Sequence, residues 1–171
     1  MDVGKAYLEC TILNFKAMQK QGEQVFSQLS YEQISWAPHE EANSIAVIVK
    51  HLHGNMRSRW TDFLTTDGEK LDRNRDGEFE DGYTSKAELL VAWKVGWEYV
   101  FQALQSLTPK DLLKTVHIRG EAHSVMQAIE RQIAHYASHI GQIIYVGKLL
   151  KEKEWKCLSI PKGQSTRYQR K

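Results

Sequence analysis

Apolar residues recur at intervals of three and four through four long stretches of the chain, and polar segments rich in Gly, Asp and Ser divide them. From Lys5 to about Leu29 the periodic set is Tyr7, Leu8, Ile12, Leu13, Phe15, Met18, Val25, Phe26 and Leu29; Gly22 weakens this run without ending it. Ser30-Tyr31-Glu32-Gln33 has the form of a capping box and predicts one short turn before Trp36-Ala37-Pro38. Asn43 or Ser44 caps a second long helix to roughly Leu64, with Ile45, Ile48, Val49, Leu52, Met56, Trp60 and Phe63 on its buried side. A polar loop covers Thr65 to Thr84. Ser85 then caps a third helix, apolar on several sides from Ala87 to Leu107, and Thr108-Pro109-Lys110-Asp111 places proline in a first turn. Thr115 to His123 alternates and turns at Gly120, which suits a small β-hairpin. The proline-free run Ser124–Leu150 is the fourth helix, and Leu158-Ser159-Ile160-Pro161 beyond it is extended because of its proline.

The pattern predicts an all-α protein: a single domain over 1–171, built as an antiparallel four-helix bundle with a small β-hairpin before the last helix and an extended C-terminal tail over 150–171. At ~100° per residue, the last helix carries two apolar stripes. Gln132, His135, His139, Ile143, Val146 and Leu150 form one; Met126, Ile129, Ile133, Ala137, Ile140 and Ile144 form the other, nearly opposite. One stripe faces the bundle core, and the second motivates a symmetric homodimer, which sedimentation as a monomer at micromolar concentration would count against.

Charge changes this picture little. The net charge of +2 is spread along the chain, so nothing points to nucleic acid, and the basic end Arg167-Tyr168-Gln169-Arg170-Lys171 reads as a solvated tail. No apolar run approaches membrane-spanning length, and Met1 to Met18 is too interrupted by charge for a signal peptide. Cys10 and Cys157 stand far apart without a C-x-x-C pair, so free thiols and a cytoplasmic location are expected. Asp72-Arg73-Asn74-Arg75-Asp76-Gly77 opens like a calcium loop, but the twelfth position is Tyr83 and two arginines oppose a cation; it reads as a solvated loop flanking a site. His117 and His123 read as ordinary strand residues, Glu130 and Arg131 as surface or interface residues, and Trp60, Trp93 and Trp97 as core.

The chemistry concentrates in Arg131-Gln132-Ile133-Ala134-His135-Tyr136-Ala137-Ser138-His139. Histidines four apart on a helix share one face, so His135 and His139 can converge on one metal ion. The residue after the first is Tyr136, not the glutamate that an H-E-x-x-H protease uses as its base. A third ligand must come from another helix. His51 and His53 are two apart and point ~200° away from one another, so only one can face the core. His51, which shares a side with Ile48, Asn55 and Arg59, is chosen over His53, which lies with Lys50 and Arg57. Asn55 and Gln142 are the candidates for holding the second nitrogen of a ligating ring. No convincing carboxylate is legible near the three histidines.

Asn43-Ser44-Ile45-Ala46 leading to His51, then Gly54-Asn55-Met56-Arg57-Ser58-Arg59-Trp60, and later Arg131-Gln132 with His135, His139 and Gly141-Gln142-Ile143, resemble the DinB/YfiT-like metalloenzymes. The likeness covers nearly the whole chain, including Asp67-Gly68-Glu69-Lys70 and Leu158-Ser159-Ile160-Pro161, and is nearest to a little-characterised bacterial branch. It implies a four-helix bundle, a divalent metal (zinc or nickel) on His51, His135 and His139, and frequently a homodimer. Better-characterised relatives include thiol-dependent transferases and isomerases using bacillithiol, mycothiol or glutathione-like cofactors. The resemblance therefore implies a metal-dependent transferase that joins a low-molecular-weight thiol such as bacillithiol to an electrophilic small molecule. A metal-dependent hydrolase and a non-enzymatic dimeric bundle with a structural metal are the competing readings.

Overall fold

In a computed structural model, residues 2–80 and 83–167 are described. The terminal residues 168–171, most of the basic tail, lie outside them. The chain is mostly helical. Helix α1 (Val3–Phe26) begins at Asp2, whose carboxylate accepts from the amides of Gly4 and Lys5. That cap starts the helix before Lys5. The Ser30 capping box opens the short α2 (Tyr31–Ser35), and Ser44, not Asn43, caps α3 (Ile45–Trp60) through its bond from the Val47 amide. Ser85 caps α4 (Lys86–Ser106), and Ser124 with Gln127 forms the capping box of α5 (Val125–Lys151). Each of these side-chain oxygens answers an amide that the first helical turn leaves without a partner.

Helix α3 stops four residues short of the expected Leu64. Thr61 leaves helical geometry and Asp62 takes a left-handed backbone with φ of 49°, a conformation that aspartate tolerates better than most residues. Phe63 is accordingly half-buried on a turn instead of sitting on a helix face. The hairpin lies where the alternation put it, with β1 (Thr115–Ile118) antiparallel to β2 (Glu121–Ser124) and Arg119 and Gly120 both at positive φ in the turn. The tail is not simply extended. Glu152–Glu154 and Ser165–Arg167 form 3-10 turns, and Gln28 bonds both backbone groups of Lys156, drawing the tail back onto the end of α1.

Helix α3 packs on α4 and α5, and α1 packs on α5 and α4, so the four long helices enclose one core. Phe15 stands at its centre, with its ring centroid within 6.0 Å of those of Trp60, Trp97 and Tyr136. Trp60, Trp93 and Trp97 are all buried. Gly22 is where α1 meets Trp93: a Cβ there would come within 2.4 Å of the indole, so the glycine serves close packing.

The seam of α5 differs from both expected stripes. Its buried residues are Val125, Ala128, Ile129, Gln132, Tyr136, Ile140, Ile143 and Gly147, a line running between the two. Ile129 and Ile140 are therefore covered within one chain, while of the rest of that second stripe Met126, Ile133 and Ile144 are half-buried and Ala137 is exposed. Tyr136 is the reason. Its fully buried ring sits in the core between the two histidines' turns, and its hydroxyl accepts from Trp60 Nε1 (3.0 Å) and donates to Asn55 Oδ1 (3.0 Å).

Candidate metal centre

His51 comes from the middle of α3, and His135 and His139 from successive turns of α5. Because α3 and α5 pack directly, the three rings meet: His51 Nε2 is 3.2 Å from His135 Nε2, which is 3.0 Å from His139 Nε2. One ring nitrogen from each of the three lies within 4.8 Å of the others, and this is the one such grouping among the described residues. His53 is not part of it. It lies half-buried beside Gly96 of α4, with its basicity lowered by burial and then by Arg57.

The outward nitrogens decide what the inward ones present. His51 Nδ1 lies 3.0 Å from Glu78 Oε2, and His139 Nδ1 lies 2.8 Å from Gln142 Oε1. Both oxygens only accept, so each Nδ1 carries the proton and each Nε2 offers a lone pair. Burial, then the proximity of His139 and His51, lowers the His135 pKa to about 3, and burial likewise lowers that of His139. The His51 and His139 Nε2 atoms thus both turn lone pairs toward His135 Nε2, and a cation between the rings would be bound by all three nitrogens once the His135 proton sits on Nδ1. Zinc–nitrogen bonds of ~2.0–2.1 Å in tetrahedral geometry separate ligand nitrogens by ~3.3–3.4 Å. The 3.0 and 3.2 Å of two of the pairs fall a few tenths of an ångström short of that, and all three nitrogens lie within 4.8 Å of one another, so the donor set fits a divalent ion.

Asn55 does not hold a histidine as expected, because Tyr136 occupies its carbonyl. The larger correction is Glu78. A buried carboxylate does stand against the histidines, supplied by the loop that reads as solvated. Within that loop Arg73 turns inward and grips Glu78 with two bonds, Nε to Oε1 at 2.7 Å and Nη2 to Oε2 at 2.8 Å. Burial alone would raise the Glu78 pKa, but Arg73 and then His51 outweigh it and hold the carboxyl below its usual range. Arg73 also reaches Glu69, which receives Arg59 and Arg119, so an alternating charge network runs from His51 to the hairpin. Phe79, next to Glu78, stacks on the His51 ring with centroids 4.8 Å apart. The calcium-like spacing is thus spent on an arginine–glutamate pair.

One residue in the sequence marks where Glu78 packs. Gly54 sits in the middle of α3, where glycine costs ~1 kcal/mol relative to alanine. A Cβ there would lie 2.2 Å from Glu78 Oε1. The glycine makes room for the carboxylate.

His117 and His123 do not converge. Val116 pairs with His123 and His117 with Ala122, so the two imidazoles belong to opposite faces of the hairpin. Cys10 and Cys157 are both free and exposed. No helix among the described residues is long and apolar enough to cross a membrane.

Asp67 ties the loop to the hairpin by accepting from the amides of Glu69 (2.7 Å), Arg119 (2.8 Å) and Gly120 (2.7 Å). Burial opposes ionisation, but these amide bonds outweigh it and lower the Asp67 pKa below 3.8. A depressed folded pKa means stability that is complete above 3.8 and is lost as pH falls through the lower folded value. The amide resonances of Glu69, Arg119 and Gly120 should therefore shift together only below that pH. A common midpoint at or above it would contradict the assigned bonds.

A family model described as "Protein of unknown function (DUF1572)" matches residues 2–164. No curated protein matches the chain.

Proposed function

The chain belongs to the DUF1572 family, and we propose that it is a divalent-metal-dependent enzyme of the DinB/YfiT-like superfamily, a four-helix bundle whose reaction joins a low-molecular-weight thiol to an electrophilic small molecule. The observation that carries this reading is the convergence of the His51, His135 and His139 Nε2 atoms with two of the Nδ1 atoms already committed to acceptors. His51, His135 and His139 would hold the ion, zinc or nickel by their all-nitrogen character. A cation bound there supplies Lewis acidity and favours the thiolate form of a thiol, such as a bacillithiol-like one, over the thiol.

The rest falls to the chain's own side chains. Glu78 fixes the tautomer and orientation of His51, and Arg73 keeps Glu78 ionised. Gln142 does the same for His139, and Phe79 covers one face of the His51 ring against water.

A hydrolase needs a carboxylate placed to take a proton at the reacting centre. Glu78 is the wrong group for that. It lies against Nδ1, the far side of His51 from Nε2, both its oxygens are engaged, and its basicity is depressed. Thiol transfer requires no such base from the protein and is favoured for that reason.

Elemental analysis of untagged protein tests the metal. About one divalent ion per chain is expected, lost in His51→Ala, His135→Ala and His139→Ala alike. The wild-type protein should then consume a chromogenic electrophile only when a biological thiol is supplied. Metal content unchanged in all three variants, or turnover that survives them, overturns the proposal.

A further inference from the structure

The segment Asp67-Gly68-Glu69-Lys70 is held in place without its glutamate side chain. The Gly68 amide donates to the carbonyl of His117 (2.8 Å), and the Gly68 carbonyl accepts from the Ser58 hydroxyl (2.8 Å). The amides of Glu69 and Lys70 donate to Asp67 Oδ1 (2.7 Å) and Ser58 Oγ (3.1 Å). Backbone on both sides of Glu69 is thus tied to α3 and to the hairpin, which leaves the carboxylate for another task.

Its two oxygens are divided. Oε2 accepts from Arg59 Nη2 (3.0 Å) and Arg119 Nε (3.1 Å), and Oε1 accepts from Arg73 Nη1 (3.3 Å). Arg73 spends Nε and Nη2 on Glu78, so the bond to Glu69 engages the third nitrogen of its guanidinium. The group is planar, and a carboxylate on each edge holds that plane against Glu78. Glu69 also separates like charges. Arg59 and Arg73 are both buried, and without the carboxylate they share they would repel one another, at the expense of the Arg73 grip on Glu78. That grip sets the oxygen to which His51 Nδ1 is bonded.

We propose that Glu69 is a positioning residue of the metal centre. Through Arg73 and then Glu78 it fixes the His51 ring, although its own bonds all go to arginines. The inference rests on the metal-centre reading and extends it to a loop segment that lies two side chains behind a ligand.

Zinc affinity is measured on the full chain by competition with a chromophoric chelator, and stability by denaturant unfolding of the metal-free protein. Glu69→Gln should weaken zinc binding by about tenfold, the low end for groups that orient a ligand. It should also shift the visible bands of the cobalt-substituted protein. With Glu78→Gln already present, Arg73 no longer grips a charge, and the same substitution should cost zinc binding less than about threefold while still lowering stability. Arg119→Ala removes a different partner of Glu69 and should leave zinc affinity within about twofold of the wild type. Should Glu69→Gln not fold, Glu69→Asp keeps the charge among the arginines but draws it back from Arg73, and the same losses are expected in smaller measure. Unchanged zinc affinity in the folded variant overturns the proposal, as does an equal loss with and without Glu78→Gln. Wild-type protein that binds no zinc sinks the metal-centre reading and this role with it; equal zinc binding by wild type and variant sinks this role alone.

Discussion

Glu78→Ala lowers the stability of the protein by ~3–5 kcal/mol and weakens its affinity for a divalent metal by ~10–100-fold. The first figure follows from what the variant strands. The Arg73 side chain is only 4% exposed and spends its two best bonds on Glu78, so removing the carboxylate leaves a buried cation with Glu69 at 3.3 Å as its remaining partner. The second follows from His51, whose Nδ1 loses the acceptor that fixes its tautomer. Glu78→Gln separates the two consequences. The amide oxygen still accepts from His51, so metal affinity should recover more than stability does, because Arg73 remains without its charge partner. Denaturant unfolding and competitive metal titration measure both. Native metal affinity in folded Glu78→Ala protein would mean that the carboxylate only holds the loop, and its role at the metal centre would be withdrawn.

Gly54→Ala has two opposed effects, and the sign of their sum depends on Glu78. Alanine favours the middle of α3 by ~1 kcal/mol. Its methyl group would also lie 2.2 Å from Glu78 Oε1 and 2.7 Å from Cδ, and the carboxylate cannot swing aside without abandoning Arg73 or His51. The clash should win, giving a net loss of ~1–3 kcal/mol and weakened metal binding. With Glu78→Ala already present the obstacle is gone, and the same substitution should be neutral or stabilising by up to ~1 kcal/mol. The two changes therefore couple strongly in a double-mutant cycle. Simple additivity would show that Gly54 is not there for the carboxylate.

These two residues mark the limit of what could be read from the chain. His135 and His139 sit four apart in a run that is plainly helical, and their shared face is a property of helix geometry alone. The choice of His51 over His53 needed only the direction in which α3 buries its apolar residues. Local hydrogen bonding makes the helix starts equally legible: Ser30, Ser44, Ser85 and Ser124 each cap from their own side chain.

What pattern reading could not supply involves contacts between distant segments. Tyr136 drops out of both expected stripes of α5 because neither its hydroxyl partners on α3 nor the Phe15 ring beside it is visible in a periodicity. Asn55 is near His51 in sequence, yet Tyr136 claims it.

The sequence by itself determined that the chain is helical, where the long helices after the first one start, and which three imidazoles could share an ion, because periodicity and capping act over a few residues. Only the folded arrangement decided that a loop crowded with charge would turn Arg73 and Glu78 inward and set a carboxylate behind His51. Side chains in such a loop obey no repeating pattern, and which of them is buried depends on what the loop lies against. The mid-helix Gly54 held that information in the sequence, but it becomes readable only once the loop lies across α3.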